Sequence, residues 1–306
     1  MSEPLPGLRR WIVNPYVVLT LSMLVGSGTL VVGRGAVGEI PPIALTFWRW
    51  AVAVAVLIPI GIGPLLRQRR VLLRHWLLLL GMGATACSSH HVFLFYGLES
   101  TTAINASIQI GGMPVATVAL AVLLTRERVD WRVLAGMALG FAGVGLVIAR
   151  GDPAALLRLE INTGDALVMA AVWSWAAYCV MLGRLPHGID GRGLLLAMAV
   201  IGLVILTPLY IAELASGDHM VISTATVLSI LYVGIFPSVI GNMLWQYGVR
   251  LLGPSRASQF TYLGPIFSAT WAFALLDETL APYHAALLLI FLGIYLATRA
   301  PRRAVE

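Results

Sequence analysis

The segment that decides the fold is "FYGLESTTAINASIQIGGMPVATVALAVLLTRE", residues 95–127, because a second copy of it occurs later in the chain. Residues 246–278, "QYGVRLLGPSRASQFTYLGPIFSATWAFALLDE", align to it without gaps at an offset of 151. The identities include Tyr96 with Tyr247, Gly97 with Gly248, Ala106 with Ala257, Ser107 with Ser258, Pro114 with Pro265 and Glu127 with Glu278. We interpret the chain as a duplication, with one repeat in 1–150 and the second in 151–306.

The composition predicts that both repeats lie in a lipid bilayer. The 306 residues are 59% hydrophobic and 11% charged, with a mean hydropathy of +0.88. A soluble domain carries roughly 25% charged residues, so this chain has too few to cover a surface that faces water. The first apolar run is too long for the core of a signal peptide and is interpreted as a retained helix. Cys87 and Cys179 fall inside apolar segments, which favours packing residues over a disulfide.

Several apolar segments have the length of a helix that crosses a bilayer, which needs about 20 residues. They lie near 13–32, 42–62, 75–97, 102–124, 132–149, 164–182, 193–214, 225–249, 255–276 and 283–299. Ten such segments predict an all-α integral membrane protein with five helices in each repeat. An odd number of helices reverses the second repeat, so the two repeats are predicted to be inverted. Inverted repeats are typical of secondary transporters, whose sites lie near the midplane between the repeats.

The positive charges predict the orientation of the chain. All 20 basic residues are arginine, and 16 of them fall at the tails or in loops on the side of the N-terminus. The opposite side carries three, Arg34, Arg150 and Arg158. Because loops on the cytoplasmic side are rich in Lys and Arg, we expect a multi-pass protein of the bacterial inner (plasma) membrane with both termini in the cytoplasm.

Four motifs resemble the drug/metabolite transporter superfamily, in its EamA branch. They are "GSG…GEIPPIALTFWRW" at 26–50, "YGLESTTAINASIQIGGMP…E" at 96–127, "WSWAAYCVMLGR" at 173–184 and "YGVRLLGPSRASQFTYLGPIF…DE" at 247–278. The resemblance implies a ten-helix metabolite exporter without an organic cofactor, whose central cavity is lined mainly by helices 1, 3, 4, 6, 8 and 9. Within the family the chain is most similar to the YddG-like exporters of amino acids. It departs from the family at Val25, where a Trp often precedes the Gly-Ser turn, although Trp175 is present in the second repeat.

Arg49 is the one clear formal charge inside a predicted span. An arginine at the centre of a bilayer costs about 2.5–3.5 kcal/mol on insertion scales, so its side chain is expected to face the interior of the bundle. The helix begins near Pro42, which puts Arg49 about two turns below one face of the membrane. Two interpretations remain: a tie between carbonyls at helix ends, or an anchor for a substrate carboxylate.

His90 and His91 are adjacent in the third span and point about 100° apart. Ala84, Ser88, His91 and Phe95 form a stripe of small and polar residues, which favours His91 on the cavity and His90 against a neighbouring helix. No metal is expected, because adjacent histidines have the wrong spacing and no helix offers a cluster of further ligands. Hydrogen bonding to substrate, proton coupling and packing of a satisfied ring all remain open.

Glycine and proline interrupt the fourth and ninth spans, where broken helices can line a cavity. The predicted hinge or gating residues are Gly111, Gly112, Pro114, Gly264 and Pro265. Amides and aromatic rings near these breaks complete the predicted substrate-binding set, with interhelical packing as the alternative for each. This set comprises Asn105, Gln109, Trp175, Tyr178, Trp245, Gln246, Gln259 and Tyr262. The glycines of Gly136-Met-Ala-Leu-Gly140 predict a close helix crossing inside the bundle.

Taken together, the residues favour a secondary transporter that exports small amphipathic metabolites by alternating access. Amino acids, aromatic or otherwise neutral, are the expected substrates. The alternative is a proton-coupled multidrug exporter for lipophilic cations, which would require a carboxylate deep in a span. The sequence contains neither a nucleophile motif nor HExxH spacing, so a membrane enzyme is only a remote alternative. The loops are short, so a membrane scaffold is equally remote. The expected partners are a small-molecule substrate and the lipid bilayer, without nucleic acid, and the chain is expected to work as a monomer.

Overall fold

The computed structural model describes residues 14–101, 106, 109–126, 129–148, 162–264, 266–267 and 287–299. Every regular element within these residues is helical. The helices are α1 Pro15–Gly26, α2 Gly28–Gly35, α3 Pro42–Arg74, α4 Trp76–Ser100, α5 Met113–Thr125, α6 Trp131–Ile148, α7 Thr163–Gly183, α8 Gly191–Ala215, α9 Thr224–Leu252, α10 Pro254–Ala257 and α11 Leu287–Thr298. A 3₁₀ turn, Ser258–Tyr262, follows α10.

The helices have the character of an all-α membrane protein. Five of the described helices, α3, α4, α7, α8 and α9, are long and apolar enough to cross a bilayer, and the shorter ones include further apolar helices. Large apolar side chains lie exposed on the outer surface, among them Leu123, Val204 and Leu288. Apolar surface of this extent marks contact with lipid or another apolar partner. The predicted fold class is therefore confirmed.

One of the predicted helix boundaries is wrong. The second span was expected to end near residue 62, but α3 continues to Arg74. Its last turns carry Arg67, Arg69 and Arg70, and arginine is a good helix former, so the helix continues beyond its apolar segment.

Equivalent glycines of the two repeats make equivalent helix crossings. A Cβ on Gly97 would lie 2.6 Å from Cγ2 of Val168, which holds α4 against α7. A Cβ on Gly248 would collide with Leu19, which holds α9 against α1 in the same way. Small residues let helix backbones approach closely in membranes. Gly97 and Gly248 are related by the offset of 151, and their contacts Leu19 and Val168 by an offset of 149.

A second pair of glycines identifies the repeat position of Arg49. A Cβ on Gly234 would lie 3.0 Å from the carbonyl oxygen of Arg49. A Cβ on Gly83 would lie 3.0 Å from the carbonyl oxygen of Met198. Because Gly83 and Gly234 are equivalent, the position of Arg49 in the first repeat corresponds to that of Met198 in the second.

Helices α6 and α11 meet at two glycine backbones. A Cβ on Gly136 would lie 2.5 Å from the carbonyl oxygen of Gly293, and a Cβ on Gly293 would lie 2.5 Å from that of Gly136. A Cβ on Gly140 would lie 2.5 Å from the ring of Tyr262. The close crossing predicted for Gly136 and Gly140 is therefore confirmed, and it lies inside the bundle.

Candidate functional site

A cavity of about 170 Å³ lies between the two halves of the chain. Residues 14–149 contribute side chains from α1 to α5 and the turn before α5, and residues 162–299 contribute α7, α9 and the turn after α10. The wall is formed by Ser22, Met23, Gly26, Ser27, Thr29, Leu30, Arg49, His90, His91, Leu94, Ile110, Met113, Trp175, Pro237, Gly241, Asn242, Trp245, Thr261 and Gly264.

The two repeats line this cavity with equivalent positions. At the offset of 151, wall residues of the first repeat correspond to wall residues of the second. The pairs are His90 with Gly241, His91 with Asn242, Leu94 with Trp245, Ile110 with Thr261 and Met113 with Gly264. The wall positions are equivalent, but the side chains at them differ in charge and polarity, because the basic side chains all come from the first repeat.

Each repeat also places a π-helical turn beside the cavity, at Gly83–Ser89 in α4 and Phe236–Gly241 in α9. Such turns are common at functional sites. Their carbonyls accept from side chains five residues further on. Nδ1 of His91 lies 3.0 Å from the carbonyl oxygen of Ala86. Nδ2 of Asn242 donates to the carbonyl oxygen of Pro237 at 3.1 Å, which is the same contact in the second repeat.

Arg49 is buried with 1% of its surface exposed. Its Nε donates to Oγ of Ser238 at 2.9 Å, and Ser238 donates in turn to the carbonyl oxygen of Val233 at 2.7 Å. Its Nη1 is buried without a hydrogen-bond partner in the described part of the chain. The ion pair found among the described residues joins Arg192 and Asp190 instead. The cavity wall therefore carries a positive charge that no described carboxylate neutralises.

Both histidines lie on the cavity wall, whereas only His91 was expected there. The π-helical turn explains the difference, because its extra residue breaks the register on which the predicted stripe depended. Of that stripe, Ser88 donates to the carbonyl oxygen of Gly202, and Phe95 packs against Gly33. The expected contact of His90 with a neighbouring helix also exists, since its Nδ1 lies 2.8 Å from the carbonyl oxygen of Ala171 in α7.

Two tryptophans from the second repeat form the aromatic part of the wall. The rings of Trp175 and Trp245 lie 5.8 Å apart, and Trp175 lies 4.9 Å from the ring of His90. Nε1 of Trp175 is buried without a hydrogen-bond partner among the described residues. The cavity is therefore amphipathic, with aromatic rings on the same wall as a guanidinium.

Four predicted substrate residues are buried outside the cavity wall, which corrects their expected position. Tyr178 packs with its ring 5.1 Å from that of Trp175, and Nε2 of Gln246 lies 3.8 Å from Sδ of Met198. Nε2 of Gln259 donates to its own turn, to the carbonyl oxygen of Ser255. The hydroxyl of Tyr262 donates to the carbonyl oxygen of Met137. These residues occupy interhelical positions, so polar character alone did not indicate which face they occupy.

The predicted helix break before α5 is present, with a turn at Gly111 and Gly112 and helix from Met113, followed by Pro114. Gln109, just before it, is off the cavity wall, because its Nε2 donates to Oδ1 of Asp165 at 2.9 Å. Gly264 lies on the cavity wall. Asn105 and Pro265 lie outside the described residues.

Sequence reasoning missed much of the wall, including its polar residues on α1, on α2 and at the junction between these two helices. Ser22, Ser27 and Thr29 lie there, and Asn242 completes the polar set in the second repeat. One signal was available in the sequence. Adding the offset of 151 to His91 and to Leu94 leads to Asn242 and Trp245, so the duplication itself marks matched wall positions.

A family model describing the EamA-like transporter family matches the chain twice, over residues 14–149 and 162–299. The chain belongs to the EamA-like transporter family. It is therefore a membrane transporter built from two copies of the EamA unit. Residues 150–161 separate the two matches.

Curated relatives agree with this family, and a solved structure agrees with the fold. An uncharacterized transporter of Archaeoglobus fulgidus is 29% identical, over 92% of this chain and 96% of the relative. A probable terminal-alkyne amino-acid exporter of Streptantibioticus cattleyicolor is 29% identical over 74% of each chain. A probable amino-acid metabolite efflux pump of Salmonella typhimurium is 26% identical, over 72% of this chain and 75% of the relative. One crystal structure superposes with a TM-score of 0.74 at 19% identity, over 92% of this chain and 96% of that one, and it supports the fold alone.

Proposed function

We propose that this EamA-like transporter exports small amphipathic metabolites, above all amino acids, aromatic or otherwise neutral, by alternating access through the cavity between its repeats. The observation that carries the proposal is Arg49, which lies on the wall of that cavity and whose buried Nη1 has no hydrogen-bond partner among the described residues. A charged side chain inside the membrane costs free energy, so such residues are rare and usually mark a functional site. A substrate carboxylate would supply the missing partner through a charge-assisted hydrogen bond.

The rest of the wall suits the remainder of an amino acid. Trp175 and Trp245 offer apolar faces for a side chain, and aromatic rings favour offset or edge-to-face contact with another ring. Two relatives whose names refer to amino-acid export support the same substrate class. Arg49, His90, His91, Trp175 and Trp245 are the residues that we assign to substrate binding.

The alternative, a multidrug exporter for lipophilic cations, fits the cavity less well. The described wall carries a guanidinium and no carboxylate, so it would repel a cation. The cavity of about 170 Å³ is also smaller than the roughly 300–1,000 Å³ typical of sites for drug-sized ligands.

Contacts at equivalent positions support alternating access as the mechanism. Gln109 binds Asp165 by a hydrogen bond, and the equivalent residues Phe260 and Tyr16 stack with their ring centroids 6.2 Å apart. In inverted repeats these two contacts would lie toward opposite sides of the membrane. Each would then close the cavity toward its own side, and transport would require the two contacts to open alternately. The proposed hinge residues are Gly111, Gly112, Pro114, Gly264 and Pro265.

The setting of this transporter is part of the proposal. The arginine distribution supports the bacterial inner (plasma) membrane with both termini in the cytoplasm. The proposal includes a functional monomer, since residues of one chain supply both the basic and the aromatic parts of the wall.

The test is efflux from proteoliposomes loaded with one labelled compound at a time. We expect efflux of phenylalanine and leucine above that of empty liposomes in the absence of a pH gradient. We expect none of a lipophilic cationic dye. Efflux of the dye alone, with strict dependence on a proton gradient, would establish the alternative instead.

A further inference from the structure

The hydrogen bonds of the two histidines determine which ring nitrogen carries the hydrogen. Nδ1 of His90 lies 2.8 Å from the carbonyl oxygen of Ala171, and Nδ1 of His91 lies 3.0 Å from that of Ala86. A carbonyl oxygen only accepts hydrogen bonds, so Nδ1 must be the donor in each ring. In a neutral imidazole the other nitrogen, Nε2, is then a bare acceptor.

These Nε2 atoms are available to a ligand in the cavity. Both rings lie on its wall, although His90 is only 6% and His91 only 5% exposed. Neither Nε2 makes a hydrogen bond within the described part of the chain. The ring centroids lie 4.8 Å apart in an edge-to-face arrangement, so the two imidazoles are neighbours on the cavity wall.

The charge of the wall keeps both rings neutral. The guanidinium of Arg49 is on the same wall, and no carboxylate lies among the described wall residues. A further uncompensated positive charge in such a buried place would be costly, because desolvation is not offset by a partner. The neutral rings therefore offer hydrogen-bond acceptors to the cavity, whereas the guanidinium of Arg49 offers only donors.

We propose that His90 and His91 bind the ammonium group of the substrate while Arg49 binds its carboxylate, so the cavity selects zwitterionic α-amino acids over amines and over carboxylic acids. This inference rests on the proposed function and deepens it. An ammonium group has three donors and no acceptor, which matches a pair of Nε2 lone pairs.

The duplication makes this recognition one-sided. The equivalents of Arg49, His90 and His91 in the second repeat are Met198, Gly241 and Asn242. None of these carries a charge or a ring nitrogen. A symmetric cavity would accept a zwitterion in two orientations, whereas this one fixes both charged groups against the first repeat and leaves the substrate side chain to Trp175 and Trp245.

The test is binding of phenylalanine, 2-phenylethylamine and 3-phenylpropionate to the purified full chain by titration calorimetry. His91→Phe removes the acceptor Nε2 and keeps an aromatic ring close to Trp50 and Phe95, so this variant is expected to fold. His90→Phe keeps the ring that packs on Trp175. His75→Asn is the matched control, because His75 makes the same kind of Nδ1 contact to a backbone carbonyl but lies outside the cavity.

We expect the wild-type chain to bind phenylalanine more tightly than either analogue. His91→Phe and His90→Phe should each weaken the binding of phenylalanine about tenfold or more and leave the binding of 3-phenylpropionate unchanged, since only the ammonium contact is lost. The control His75→Asn should bind all three compounds as the wild type does.

If both variants weakened the binding of phenylalanine and of 3-phenylpropionate equally, the inference would be overturned, because the histidines would then act on the carboxylate or on packing. Unchanged binding of phenylalanine in both variants would also overturn it while leaving the proposed function intact. A wild-type chain that binds none of the three compounds would overturn the proposed function itself, and the inference with it.

Discussion

Replacing Arg49 with methionine is expected to abolish amino-acid efflux from proteoliposomes while leaving the protein folded. The variant removes the unpaired donor Nη1, which we propose to bind the substrate carboxylate. Hydrogen bonds to charged groups contribute about 1.5–3 kcal/mol, which corresponds to a loss of about 10- to 150-fold in affinity. The measurement is the initial rate of phenylalanine efflux at a substrate concentration below saturation.

Methionine is the informative substitution because the chain already carries Met198 at the equivalent position of the second repeat. The loss of charge should not unfold the bundle, since Ser238 keeps its hydrogen bond to Val233 and a costly buried cation disappears. Arg192→Met is the matched control, because Arg192 is exposed and pairs with Asp190 outside the cavity. Efflux by Arg49→Met at the rate of Arg192→Met would show that the guanidinium does not bind substrate.

Replacing Gly136 with valine is expected to cause the largest loss of folded protein. A Cβ at this position would lie 2.5 Å from the carbonyl oxygen of Gly293, and a backbone atom cannot move aside as a flexible side chain can. Overpacking of a well-packed contact costs about 1–3 kcal/mol, occasionally more. The helices α6 and α11 would have to separate, so we expect a lower yield of monodisperse protein and a lower melting temperature in detergent.

Gly63→Val separates this clash from the intrinsic effect of valine in a helix. Gly63 lies inside α3, and nothing approaches within 4 Å of a Cβ built on it. Both variants carry the same helix propensity, so only the contact with Gly293 differs. Equal melting temperatures for the two variants would contradict the close crossing of α6 and α11.

The duplication was the most informative feature of the sequence. The matched Tyr-Gly and Pro positions predicted two related halves, and apolar runs of helical length predicted a membrane protein. The crossing glycines Gly97 and Gly248 then make equivalent contacts in the structure, because a helix crossing depends on small residues at fixed positions. Arg49 could be placed in the bundle for a similarly general reason, the cost of its charge in lipid.

The facing of individual polar side chains could not be predicted in the same way. A π-helical turn changes the register of α4 before His90, and the sequence pattern did not predict this turn. Gln246 and Tyr262 looked like ligands for a substrate because they are polar residues in apolar helices. They are instead buried between helices, where Tyr262 donates to the backbone of α6. Interhelical hydrogen bonds use the same residue types as binding sites, so only the packing distinguishes the two.

The most direct test of the central claim is an experimental structure of the transporter with phenylalanine bound. We predict that the substrate lies in the cavity between the repeats with a carboxylate oxygen about 2.7–3.2 Å from Nη1 of Arg49. A structure in which the carboxylate lies elsewhere, and Arg49 contacts only protein, would contradict the account.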